Sequence, residues 1–184
     1  MSDPYTFDAD LPALPLAFDL DRVARLFAEQ WPAGGSPVTI SKIKLQDTKY
    51  QPHTRCVTTY ALAAEQDGVA FPSIGVLEII PAGAAHRLYN TDAKLPWLAQ
   101  ATDPEVMRAH FAALLPNATI ERCTVTPVRY RPNVRCVFRY DLDTSAGPQT
   151  FFGKLLNDGG ELSLATITAL HGARERTPGM PRVL

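Results

Sequence analysis

Residues 50–62 read YQPHTRCVTTYAL and residues 130–142 read YRPNVRCVFRYDL. Seven of these thirteen positions are identical: Tyr50/Tyr130, Pro52/Pro132, Arg55/Arg135, Cys56/Cys136, Val57/Val137, Tyr60/Tyr140 and Leu62/Leu142. Identity of this density inside one chain marks an internal duplication, and a duplication obliges both copies to fit one backbone plan. The match extends upstream. Thr39-Ile40 aligns with Thr119-Ile120, and FAEQWP (27–32) aligns with FAALLP (111–116) once the loop AGGSP is shortened to Asn117.

That alignment predicts a helix ahead of each copy. Asp103-Pro104-Glu105 places a capping acid, a first-turn proline and a further acid at the positive end of one helix, and Pro116 ends it. Val106, Met107, Phe111, Leu114 and Leu115 fall near helical spacing, as do Val23, Leu26, Phe27 and Trp31 in the first copy. After each helix the pattern alternates as half-buried strands do, over 38–49, 55–64 and 71–80, then 118–129, 134–143 and 149–156. The Tyr-x-Pro-x-x-Arg element is expected as the turn between the first two strands, because proline fixes φ and cannot donate to a central ladder.

The expected fold class is α+β, with two repeated units of helix plus three-stranded antiparallel meander. The corresponding boundaries are an N-terminal extension over 1–19, a first repeat over 20–82, a linker over 83–102 with a short helix near Leu95 to Ala99, and a second repeat over 103–184. A further helix is expected after NDGG, before RTPGMP.

Composition narrows the function classes. A formal charge of −1 supplies no long-range basic field, which argues against nucleic acid and anionic lipid as partners, although Arg122, Arg129, Arg131, Arg135 and Arg139 cluster locally. There is no apolar run of the ~18 residues that a membrane span needs, and no basic-then-apolar leader, so a cytoplasmic location is expected. Cys56, Cys123 and Cys136 lack C-x-x-C spacing and are expected to be buried thiols. Phosphate-loop, dinucleotide-binding, H-E-x-x-H and G-x-S-x-G motifs do not occur.

Aligning Gly75 with Gly153 in the third strands, FPSIGVLEIIP and TFFGKLLND, sets Val76 against Lys154, so a lysine stands in one copy only. Lys154 lies between FFG and LL. Its stem is expected to cross a mostly buried sheet face, where its ammonium needs an anionic partner.

A hairpin, a Y-x-P-x-x-R turn, a strand with lysine, a turn and a helix with an early acid follow the order of a protein-kinase-like N-lobe. YRPNVRCVFRYDL with FFGKLLND resembles the amino-terminal part of aminoglycoside phosphotransferase-like, or choline-kinase-like, bacterial enzymes over about residues 85–184, and more weakly over 20–81. The resemblance implies that Lys154 contacts nucleotide phosphates, that Arg131 to Val134 form the covering loop, that Arg135 adds a guanidinium, and that Glu161 partners Lys154. It also implies ATP with magnesium as the cofactor of a full enzyme and a small-molecule acceptor. The catalytic aspartate and the magnesium-binding asparagine and aspartate of such an enzyme have no counterpart, so the chain alone is expected to be an inactive amino-terminal portion. Arg55, present in the copy without the lysine, favours a structural role for Arg135. Two alternatives remain: a stand-alone module holding an anionic ligand or partner, and a homodimerisation domain that pairs open sheet edges.

Overall fold

The computed structural model describes residues 8–31 and 36–157. It is an α+β fold with two antiparallel sheets and few helices. A 3-10 segment over Leu14–Phe18 leads into helix α1 (Leu20–Glu29), which is followed by β1 (Thr39–Gln51), β2 (Arg55–Gln66), β3 (Val69–Ile80) and β4 (Gly83–Leu88). A short 3-10 turn at Tyr89–Thr91 then leads to α2 (Leu98–Thr102), α3 (Pro104–Leu114), β5 (Ile120–Arg131), β6 (Arg135–Thr144) and β7 (Gln149–Leu156). The strands run β1-β2-β3-β4 in one sheet and β5-β6-β7 in the other.

Local chemistry accounts for these elements. The Asp19 carboxylate accepts the Arg22 amide, and the Asp103 carboxylate accepts those of Glu105 and Val106, so both helices are capped, the later one at the acid the sequence marks. Each hairpin turn has proline second and a left-handed residue third, His53 and Asn133, both at φ 60°. Thr54 N donates to Gln51 O at 3.1 Å and Val134 N to Arg131 O at 3.1 Å, closing equivalent turns.

Two expectations need correcting. The first sheet has four strands, because Gly83–Leu88, read as linker, folds back on β3 with Gly75 opposite Leu88 and Ile80 opposite Gly83. The Gly75/Gly153 alignment also fails on strand register. Val57 pairs with Glu78 in the first sheet and its counterpart Val137 pairs with Lys154 in the second, so Lys154 occupies the place of Glu78 and not of Val76. By the same register Phe151 stands where Gly75 does, opposite Tyr140 and Tyr60 respectively.

The units also begin earlier than the helices. Tyr50 Oη and the His53 amide both donate to Asp8 Oδ2 at 2.8 Å, while Tyr130 Oη and the Asn133 amide both donate to Asp92 Oδ2 at 2.7 Å. Tyr60 Oη donates to Ala17 O and Tyr140 Oη to Ala101 O. Residues 8–19 (DADLPALPLAFD) and 92–103 (DAKLPWLAQATD) therefore do the same work in the two units, fastening the lead-in segment to the hairpin end and the sheet centre.

The cores follow from which faces are covered. Leu11, Leu14, Phe27, Cys56, Tyr60, Leu62, Leu77, Ile79 and Leu88 close the first unit between its lead-in helices and one sheet face. The opposite face of β3 presents Ile74 and Val76 to the second unit's core, which contains Tyr89, Leu95, Phe111, Phe138 and Leu142. Residues 73–77 are consequently buried without alternation, as in a strand packed on both sides. Cys56 and Cys136 are buried as expected, and burial pushes the Cys136 thiol up to about 12.

Candidate anion-binding site

Residues paired across an antiparallel ladder share a face. In the second sheet, Cys136, Phe138, Tyr140 and Leu142 line the covered face, so Arg135, Val137, Arg139 and Asp141 point the other way. The register adds Arg129 and Arg131 from β5, and Phe152 and Lys154 from β7, to that outer face. Lys154 is exposed there beside Phe152, itself 68% exposed. The lysine therefore does not cross a buried face, and its burial supplies no demand for a partner. Asn157 fastens the end of β7 to the turn, its amide donating to Val134 O and its side chain to Asn133 O.

The basic cluster seen in the sequence divides into two parts on this face. At the far end Arg122 is bound to Asp143 at 2.8 Å and Arg139 to Asp141 at 2.9 Å. The Thr150 hydroxyl, then the Arg139 guanidinium, hold the Asp141 carboxyl below its usual range. At the turn end, Arg129, Arg131, Arg135 and Lys154 have no carboxylate within ion-pair distance among the described residues.

The first unit shows what the shared plan does when it is neutralised. There Glu78 forms ion pairs with Arg55 at 3.4 Å and with Arg87 at 3.4 Å. Arg135 stands where Arg55 does, but the acid's place is taken by Lys154. The charge at one position is reversed, and an ion pair becomes two cations. Arg135 Nε is withdrawn from solvent without a hydrogen-bond partner, which is rare for a buried charged donor.

These cations border a hollow where the two sheets meet. A cavity of about 130 Å³ is lined by Lys49, Val57 and Thr59 of the first unit and by Arg129, Arg131 and Arg135 of the second, with Asp47, Tyr130 and Pro132 completing it. It adjoins a larger hollow of about 360 Å³ lined by Gln46, Asp47, Thr59, Val128, Arg129 and Tyr130. Each wall carries a β-bulge, between Leu45 and Asp47 on β1 and between Pro127 and Arg129 on β5. Bulges re-aim side chains, here on strand edges that face each other across the hollow.

Of the residues expected to hold a nucleotide, Arg131 and Arg135 line the smaller cavity, and Lys154 lies on the same sheet face, diagonal to Arg135. Glu161 lies outside the described residues. Arg129 belonged to the cluster noted in the sequence, and Lys49, in the copy without the β7 lysine, did not. Its repeat alignment with Arg129 was the available signal.

A separate group, Asp8, Asp10 and His53, brings three ligand-type side chains together, with His53 Nδ1 at 2.9 Å from Asp10 Oδ2 and 3.4 Å from Asp8 Oδ1. Asp8 is already held by Tyr50 and the turn amide, and those hydrogen bonds depress its pKa. Lys94 and Asn133 stand in place of Asp10 and His53 in the second unit, so the group is no part of the shared plan.

Comparison with protein-family models, with curated proteins and with solved structures yields no match.

Proposed function

We propose that the chain contributes the phosphate-holding lobe of an ATP-dependent, kinase-like small-molecule phosphotransferase. The observation that carries this reading is the charge reversal at Lys154. On a plan that otherwise pairs Arg55 with Glu78, the second unit gathers beside the Arg131–Arg135 turn cations that have no carboxylate partner among the described residues. Cations placed this way favour the charge of nucleotide phosphates, the turn would cover them, and β7 presents the lysine from a third strand, as the resemblance implies. Among the described residues the donor set fits phosphate and does not fit magnesium, since Asp141 and Asp143 are already engaged by Arg139 and Arg122. The metal and the proton-accepting base would have to come from residues beyond the described ones.

The test is ATP-dependent transfer by the gene's full product with a panel of hydroxylated acceptors. Lys154→Ala is expected to lower turnover by roughly a hundredfold or more while thermal melting is unchanged. Normal turnover in that variant would remove the reading. A second reading, a non-catalytic module for an anionic ligand, is favoured by the contribution of Lys49 from the other unit; ligand binding without ATP turnover would select it.

A further inference from the structure

We propose that the corner between the two units is a binding site for a phosphate monoester of a small hydroxylated molecule, gripped from both sides by Lys49 of the first unit and by Arg129, Arg131 and Arg135 of the second. The site goes beyond the kinase-like reading, because one of its four cations, Lys49, comes from the unit that lacks a lysine on its third strand.

Four observations converge on it. The four cations line one cavity of about 130 Å³, large enough for a phosphate group and too small for a nucleotide. None of them has a carboxylate partner among the described residues, although Asp47 lies on the same wall. The Arg135 Nε donor has no hydrogen-bond partner among the described residues. Finally, guanidinium forks arriving with an ammonium from the opposite wall suit a dianion with several acceptor oxygens better than a singly charged carboxylate.

The neighbouring hollow defines the rest of the ligand. Its walls offer Gln46, Asp47 and Thr59 as hydrogen-bonding partners, with Val128 as the apolar contact. Asp47 borders both hollows, so its carboxylate leaves room for one phosphate held by the four cations, disfavours a second, and accepts hydrogen bonds from ligand hydroxyls. A ligand with its phosphate in the small cavity and hydroxyl groups in the larger one satisfies both ends.

Titration calorimetry of the 184-residue chain at low ionic strength, with inorganic phosphate and with glycerol 3-phosphate, tests the assignment. Both are expected to bind, the ester more tightly. Lys49→Gln, at an exposed position that leaves the fold intact, is expected to weaken both about tenfold, as are Arg129→Gln and Arg135→Gln. Arg122→Gln, on the same sheet face but paired with Asp143, is expected to change neither. Asp47→Asn is expected to erase the preference for the ester while leaving phosphate bound. Absence of binding, or full affinity in Lys49→Gln, would overturn the proposal. If phosphate binding instead fell with Lys154→Gln and survived Lys49→Gln, the ligand would belong to the outer face of the second sheet. The kinase-like reading would then stand without this one.

Discussion

The two units share caps, turns, clasps and strand order, yet they treat equivalent places in opposite ways. Gly75 in the first unit lets the Phe27 ring lie directly on the strand, where an added Cβ would sit 2.4 Å from the ring. Phe151 fills that place in the second and stacks with Phe111 at 5.1 Å between ring centroids. Glu78 neutralises two arginines, whereas Lys154 neutralises none. The shared features all concern closing the unit, and these two divergent places lie on the third strand. A duplicated fold keeps what holds it together in both copies and is free to differ where one copy alone meets a ligand or its neighbour.

Removing the clasp should produce the largest effect. Asp92→Ala removes a buried carboxylate that accepts three hydrogen bonds and strands the Tyr130 hydroxyl, so a loss of about 3 kcal/mol in denaturant unfolding is expected. Asp8→Ala should cost less, since its bond from Tyr50 is part-buried where that from Tyr130 to Asp92 is buried. Equal losses would mean that the two clasps are interchangeable.

Next in size is the exchange at the ring. Gly75→Ala pushes a Cβ into Phe27 and is expected to cost about 1–3 kcal/mol. Its melting temperature should fall accordingly. An unchanged melt would show that the first core has slack.

Smaller still is the charge reversal. Lys154→Glu should rebuild on Arg135 the pair that Glu78 makes with Arg55, adding under about 1 kcal/mol because the site is open to water. Glu78→Lys should lower stability by a comparable or greater amount by leaving Arg55 and Arg87 unpaired. Thermal melts at low and high salt check both, and the difference should shrink as salt rises.

The mildest effect is on acid tolerance. The backbone amide of His53, then the Tyr50 hydroxyl, hold the Asp8 carboxyl below its ordinary value of 3.8. A depressed folded-state pKa contributes stability that is complete above the unfolded value and is lost as pH falls through the folded one. Between neutral pH and pH ~5, Asp8→Asn should be less stable than the parent by a constant margin, and that margin should narrow below pH ~4. A margin independent of pH would show that the carboxylate's charge is not what the clasp uses.

Much of this was legible in the sequence, for physical reasons. The start of α3 was readable because Asp103 caps locally, and the hairpin turns because proline and the residue after it act within four positions. The third-strand alignment failed because glycine looks like an anchor to the eye, whereas register is fixed by which face must be buried, and that depends on Cys56, Tyr60 and their counterparts in another strand. The lead-in repeat, DADLP against DAKLP, was visible but weak: its function appears only when Asp8 meets Tyr50 and Asp92 meets Tyr130, partners far away in sequence. The corner site was the least legible, since Lys49 and Arg129 gain a common meaning only when two sheets are placed side by side. No pattern within either strand encodes that.

The clasp has a temporal consequence. Asp8 and Tyr50 are 42 residues apart, and Asp92 and Tyr130 are 38 apart. At ordinary translation speeds each aspartate waits roughly 2–8 s for its tyrosine to be made. The first unit's clasp and four strands are complete in the chain by Leu88, before the second unit's Asp92 has been added. Each tyrosine therefore first meets an aspartate that belongs to its own half. The nascent chain reaches the second half with the first already able to close, and the near-identical hairpins are kept from exchanging partners by the order in which they are synthesised.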